Sequence, residues 1–275
     1  MHIKKKCLFY SIHATQVVIF VLMLSIVFAG LGVYGLTVSR AADAEEAGRL
    51  AIVIDDFGLQ RKGVNEMLAL ECKLTVAVMP FLEYSEDDAE NALENGKEVI
   101  IHIPMQATMH DQPSHLGPRP IRITNTAEEI QNWISDALCE LPEAKGANIH
   151  MGTISSTKEC VIGPVLSELK KKNLYFVDSK TSSKSVCREA AREIGIVFYE
   201  NEVFLEHERK TKEYVKKRLQ KAMKTAKAEG SCIAIGHVGC EGGMITVNAI
   251  REMLPEFQKN NVELVFVSEL APISQ

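Results

Sequence analysis

The sequence, 275 residues long, lacks the compact signatures that mark many functional sites. None of its seven cysteines forms a CxxC pair, no HExxH occurs, and the glycine-rich turn at Gly239, Gly242 and Gly243 has no P-loop lysine beside it. A zincin site and a phosphate cradle are thereby excluded. Internal repeats and Pro-rich or Ser-rich linkers are absent as well, so nothing divides the chain beyond its first segment. Nor is there an excess of positive charge. The net charge is −5, and residues 1–44 hold Lys4, Lys5, Lys6 and Arg40 against Asp43, which leaves −8 on the remainder. An acidic domain suits no phosphate backbone, so no nucleic acid is expected as a partner. What is present, 46% hydrophobic and 24% charged residues, is globular composition.

The first segment reads differently. Residues 17–38 run without a charge behind Lys4, Lys5 and Lys6. About 20 apolar residues span a bilayer core, and positive charge stays cytoplasmic. Residues 1–44 are therefore expected to be a cytoplasmic basic stub and a transmembrane signal-anchor, with residues 45–275 as a membrane-anchored extracytoplasmic domain. Ala41, Ala42 and Ala44 could serve a signal peptidase and release a secreted domain, but the run is longer than the apolar part of a cleaved signal. Cys72, Cys139, Cys160, Cys187, Cys232 and Cys240 fall on the outer side, where disulfides can form. A domain of this size needs no staples, and most of the six read as small core residues.

Short β-branched runs recur at residues 50–54, 75–79, 98–102, 147–151, 174–178, 195–199, 232–236 and 263–267. Most are continuously apolar, as in strands buried on both faces of a parallel sheet. Helical signals lie between them. Ser85 with Asp88, and Thr126 with Glu129, have capping-box spacing, and Val161, Val165, Leu166 and Leu169 form an apolar stripe. The alternation predicts one α/β domain, a (β/α) barrel of seven or eight parallel strands, with an open doubly wound sheet as the alternative. Residues 105–124, with Pro113, Pro118 and Pro120, are too long for a routine connection and are expected to be a loop over the site. Residues 208–229 hold nine Lys and Arg against three Glu. Their stripe of Val215, Leu219, Ala222 and Ala226 favours an amphipathic helix with a solvated basic face over a polyanion-binding surface.

Polar residues close strand after strand: Asp55 and Asp56, His102, His150, Asp178 and His237. In a barrel these ends share one mouth, so residues distant in sequence can converge. Asp55 and Asp56 point to opposite sides of their strand and are expected to do different jobs, although either alone could cap a helix. A lone strand-end histidine is often a hydrogen-bonded core residue. Two of them with one carboxylate leave a coordination position open for water, the arrangement of a catalytic metal site. A carboxylate that orients a histidine suits it to protonate a leaving amine, and Asp178 with His237 is the candidate pair. Asp178 could instead cap the helix that follows. His110 and His115, in the long loop, read as solvated.

The chain resembles the divergent polysaccharide deacetylase family, on AIVIDDFG at 51–58, TVAVMPF at 75–81, EVIIHIPM at 98–105, NIHMGT at 148–153, FVDSKTSSKSV at 176–186 and AIGH at 234–237. The resemblance implies a distorted (β/α) barrel and removal of acetyl groups from N-acetylated sugars with a divalent metal, commonly zinc. It implies Asp55 as base, Asp56 as metal ligand and His102 as the first metal histidine. The superfamily places its second metal histidine four residues later, where this chain has Gln106; His150 is the replacement. Asp178 and His237 fall where the superfamily keeps the carboxylate and the acid of the leaving-group side. Ile149, Val238 and Glu206 depart from the family's usual Asn, Pro and Asp, which bears on substrate fit.

These expectations combine into a metal-dependent hydrolase with Asp56, His102 and His150 on a zinc-like ion, Asp55 as base, and His237 oriented by Asp178 as acid. Polysaccharide or peptidoglycan is the expected substrate. The alternatives are a catalytically silent glycan- or partner-binding member of the same fold, and a phosphoester hydrolase. The second would need a further metal or several cations at the mouth, and only Lys180 stands near a strand end.

Overall fold

The computed structural model describes residues 46–59, 61–112 and 116–273. Each β-branched run becomes a parallel strand: β1 (Gly48–Phe57), β2 (Thr75–Val78), β3 (Glu98–Met105), β4 (Gly146–Met151), β5 (Tyr175–Asp178), β6 (Phe198–Glu200), β8 (Ser231–His237) and β9 (Val262–Val265). One more, β7 (Val203–Phe204), has only two residues. Such a strand is too short to carry a readable pattern. The connecting helices are α1 (Val64–Leu68), α2 (Ser85–Glu94), α3 (Ala127–Glu140), α4 (Glu159–Lys171), α5 (Cys187–Ile194), α6 (Lys212–Glu229) and α7 (Met244–Lys259).

The ladder runs β6-β5-β4-β3-β2-β1-β8-β7, with β9 beside the first half of β1. It is therefore a curled parallel sheet and not a fully hydrogen-bonded barrel, because its end strands β6 and β7 do not pair. The backbone itself makes the crossing. Asn201 N–H donates to Asp178 O of β5, and the next amide, Glu202 N–H, donates to Ile233 O of β8. With no helix between β6 and β7, the chain steps directly from one end of the ladder to the other.

The curl follows from burying both faces. Ala51, Val53, Ala77, Ile100, Tyr175, Val177, Tyr199, Ile233 and Ile235 close on one another as the inner cluster. Their strand neighbours Leu50, Ile52, Ile54, Ile101, Phe176, Cys232 and Ala234 join the outer core under the helices. In α4, Val161, Val165, Leu166 and Leu169 are fully buried, each contributing about 1.5–3 kcal/mol by leaving water. Val215, Leu219, Ala222 and Ala226 bury the apolar stripe of α6 in the same way, leaving its lysines outside.

The two capping predictions divide. Thr126 caps α3 as expected: its hydroxyl accepts from Glu129 N–H and the Glu129 carboxylate accepts from Thr126 N–H. Ser85 and Asp88 form no such box. Both are fully buried, and their polar groups serve the turn just before α2 and the loop after β1. Ser85 Oγ donates to Met79 O, while Asp88 accepts from Gly58 N–H just past β1 and pairs with Arg61. Of the six cysteines read as mostly core, only Cys187 and Cys232 are buried; Cys139, Cys160 and Cys240 are exposed. Residues 1–44, with the expected spanning segment, lie outside the described residues, as does His115. Among the described residues no helix is long and apolar enough to cross a membrane.

Candidate active site

Successive side chains on a strand face opposite sides of a sheet, and that alternation decides what reaches the mouth. In β1, Ala51 and Val53 face inward, so Asp55 does too. In β3 the inward set is Ile100 and then His102; in β8 it is Ile233, Ile235 and His237. In β4, Ala147 and Ile149 belong to the outer core, which sends Asn148 and His150 inward. Asp56 has the wrong parity. Its left-handed backbone (φ 73) and the register break between Ile54 and Phe57 turn it to the same side, a local irregularity of the kind found beside active sites.

The convergence is close. Asn148 Nδ2 donates to Asp55 Oδ1 at 2.8 Å, although β1 and β4 are separated in the ladder by β2 and β3, a distance that only a curled sheet can close. Asp56 Oδ1 lies 3.5 Å from His102 Nε2 and 3.1 Å from His150 Nδ1, and those two nitrogens are 3.1 Å apart. Asp56 Oδ1 is buried and makes no hydrogen bond. Ligands held 2.0–2.1 Å from a tetrahedral ion stand about 3.4 Å from one another. The three donors therefore have the edge lengths of one face of such a site, and the group Asp56, His102 and His150 fits a divalent metal. Gln106 is not in that group. Its side chain accepts from Ile123 N–H and donates to Thr108 O, pinning the long loop. His110 is exposed.

Electrostatics separates the two aspartates. Burial pushes the Asp55 carboxyl up, opposed by His102, His237 and the Asn148 hydrogen bond. Burial acts on Asp56 as well, but His102 and His150 outweigh it and hold that carboxyl below the usual range. Burial would lower the His102 imidazole, and the carboxylates of Asp55 and Asp56 raise it instead. Burial and neighbouring charge thus push the two adjacent carboxyls in opposite directions.

His237 has a carboxylate partner, and it is Glu206. His237 Nδ1 donates to Glu206 Oε2 at 3.0 Å, and the other carboxylate oxygen accepts from Thr246 Oγ1 and from His237 N–H. The expected pairing of Asp178 with His237 is not formed. Tyr175 and Val177 face inward on β5, so Asp178 falls with Phe176 on the outer parity. There it accepts from Ser185 Oγ at 2.7 Å and Lys180 N–H at 2.8 Å. Glu206 arrives from the opposite side, because Phe204 of β7 is the register partner of Ile235 of β8, and two residues further on Glu206 stands beside His237. Burial alone would lower the His237 imidazole, yet Glu206, with Asp56 and Asp55 behind it, holds it up at about 10. A cleft of about 360 Å³ opens beside it, lined by Lys180, Thr181, Phe204, His207 and Glu241.

Sequence reasoning thus missed two groups, Asn148 and Glu206. Asn148 lay within the NIHMGT motif, and alternation along β4 is the signal that would have turned it inward. Glu206 was noted only as a departure from the family's Asp, and the two residues of β7 give no such signal.

Known proteins resemble this chain over much of its length. Two curated relatives, both uncharacterized, are YibQ of Escherichia coli K12, 35% identical over 70% of this chain, and a protein of Haemophilus influenzae Rd, 30% identical over 69%. The matches cover 59% and 66% of those proteins, so the chain spans less than two thirds of their length. The crystal structure of an uncharacterized protein from Agrobacterium tumefaciens C58 superposes with a TM-score of 0.72 at 20% identity, covering 83% of this chain and 91% of that one, and so shares the fold. The model of the divergent polysaccharide deacetylases matches residues 52–271, from the middle of β1 to beyond β9, with every group of the site inside it. The chain belongs to the divergent polysaccharide deacetylase family.

Proposed function

We propose that this protein is an extracytoplasmic metal-dependent hydrolase that removes N-acetyl groups from an envelope or exported polysaccharide. The observation that carries this reading is the triangle of Asp56 Oδ1, His102 Nε2 and His150 Nδ1, with edges of 3.1–3.5 Å and a buried carboxylate oxygen at one corner that no hydrogen bond satisfies. Two imidazole nitrogens and one carboxylate oxygen are a donor set for zinc. An ion there would lower the pKa of water toward neutrality and polarise the acyl carbonyl.

The remaining steps belong to the chain. Asp55, raised by burial, is the base, and Asn148 occupies its Oδ1 so that Oδ2 is left to take the proton of the attacking water. His237, charged at neutral pH and fixed through Nδ1 by Glu206, presents Nε2–H to the departing amine. Acid and base stand on neighbouring strands at paired positions, Asp55 opposite His237, so both ends of one amide bond fall within their reach. Products would be acetate and a free amino sugar. The uncharged run at 17–38 behind three lysines supports a domain held at the outer face of a membrane, where peptidoglycan or exported polysaccharide is the substrate at hand.

The test is metal content and acetate release by the full chain purified in detergent, beside His102→Ala and His150→Ala. The reading expects about one divalent ion per chain in the wild type, loss of the ion in both variants, and acetate release from acetylated glycans that depends on it. A wild type that holds no ion after zinc is added overturns it. A loaded protein that binds acetylated glycan without releasing acetate identifies a silent binder of the same fold.

A further inference from the structure

We infer that Asn148 is a positioning residue whose single side-chain amide sets the tautomer of His102 and the orientation of Asp55. The inference rests on the ligand set of the proposed function. Asn148 is fully buried in β4 and is the register partner of His102 in β3. Its Nδ2 donates to Asp55 Oδ1 at 2.8 Å and its Oδ1 stands 2.7 Å from His102 Nδ1.

An amide accepts at one end and donates at the other. The donor end, Nδ2, faces Asp55 Oδ1, so the acceptor end, Oδ1, is the one that faces His102. That oxygen in turn can only accept, so the hydrogen of the imidazole sits on Nδ1. In the neutral imidazole Nε2 is then left with its lone pair, 3.5 Å from Asp56 Oδ1 and 3.1 Å from His150 Nδ1, which is what a metal ligand requires. The same amide occupies one oxygen of the base and leaves the other, 3.8 Å from His102 Nε2, for the reaction. Leucine would fill the space and supply neither bond, serine would reach neither partner, and aspartate would keep the acceptor for His102 while setting a second buried carboxyl against Asp55, the two sharing a proton that disables the base.

The variants Asn148→Leu, Asn148→Ser and Asn148→Asp separate these roles. Zinc dissociation constants, measured by competition with a chromogenic chelator on full-length protein whose folding is confirmed by thermal unfolding, are expected to rise about 10–100-fold in N148L and N148S. N148D, which keeps the acceptor, is expected to bind zinc as the wild type does while losing acetate release. Wild-type zinc affinity in folded N148L and N148S overturns the inference, as does loss of affinity in N148D. A wild type that binds no ion removes the metal reading separately, and the tautomer is then read from the ¹⁵N shifts of the His102 ring in metal-free protein at alkaline pH. Nδ1–H in the wild type, lost in N148L, supports the assignment; Nε2–H in the wild type overturns it.

Discussion

Replacing Glu206 by Gln tests the pairing that the fold substitutes for the expected one. Gln keeps the length of the side chain and an acceptor for His237 Nδ1–H but removes the charge 3.0 Å away. Full charges at that separation interact by about 5 kcal/mol at an effective dielectric near 20, and in proteins an opposite charge this close displaces a titration by about 1–3 pH units. His237, held at about 10 by Glu206 with Asp56 and Asp55, should therefore titrate about 1–3 pH units lower in the variant, equivalent to about 1.4–4 kcal/mol less stabilisation of the imidazolium. The folded value lies above that of an unfolded histidine near 6.5. Its contribution to stability is then complete below about pH 6.5 and is lost as pH rises through about 10. E206Q should accordingly lose most stability against the wild type below about pH 6.5, with the difference closing toward pH 10. The assay is an NMR titration of the His237 ring in metal-free protein, supported by denaturant unfolding across that pH range. A His237 that titrates in E206Q where it does in the wild type would refute the assignment of Glu206.

Three further substitutions probe the surroundings. Gly242→Ala would place a methyl group 2.5 Å from Glu206 Oε1 and against Thr246 Oγ1 and His237 O. It is expected to cost about 1–3 kcal/mol by overpacking and to lower the His237 titration, as calorimetry and the same NMR experiment would report. Asp178→Ala strands the Ser185 hydroxyl and Lys180 N–H, an expected loss of about 1–3 kcal/mol. It should leave the titration of His237 in place, and a shift as large as that of E206Q would restore Asp178 as its partner. Thr126→Ala removes the cap of α3 and with it about 0.5–2 kcal/mol in denaturant unfolding, with metal binding unchanged.

Much of the fold was written in local pattern. Continuous apolar runs bounded by turns specify parallel strands buried on both faces, and all eight such runs are strands. The stripes of α4 and α6 and the capping box at Thr126 are equally local, which is why they were legible. His102, His150 and the Asp55–Asp56 pair could be placed together because strand ends share a mouth in any such sheet, and the family resemblance singled out Asp56 as the third donor. What tertiary structure decided was which neighbour each group meets. Asp178 and Glu206 both follow apolar strand residues, but the parity of β5 sends one outward and the register of β7 against β8 brings the other to His237. Asn148 touches Asp55 only because the sheet curls across two intervening strands. Ser85 and Asp88 are fully buried and form no box: Ser85 holds the turn just before its helix, and Asp88 reaches across to Gly58 beyond β1. By itself the sequence determined the elements, the polar residues at strand ends and their common mouth, since these depend on near neighbours along the chain. The pairings within the site depend on sheet curvature and strand register, which arise only when all the strands pack together.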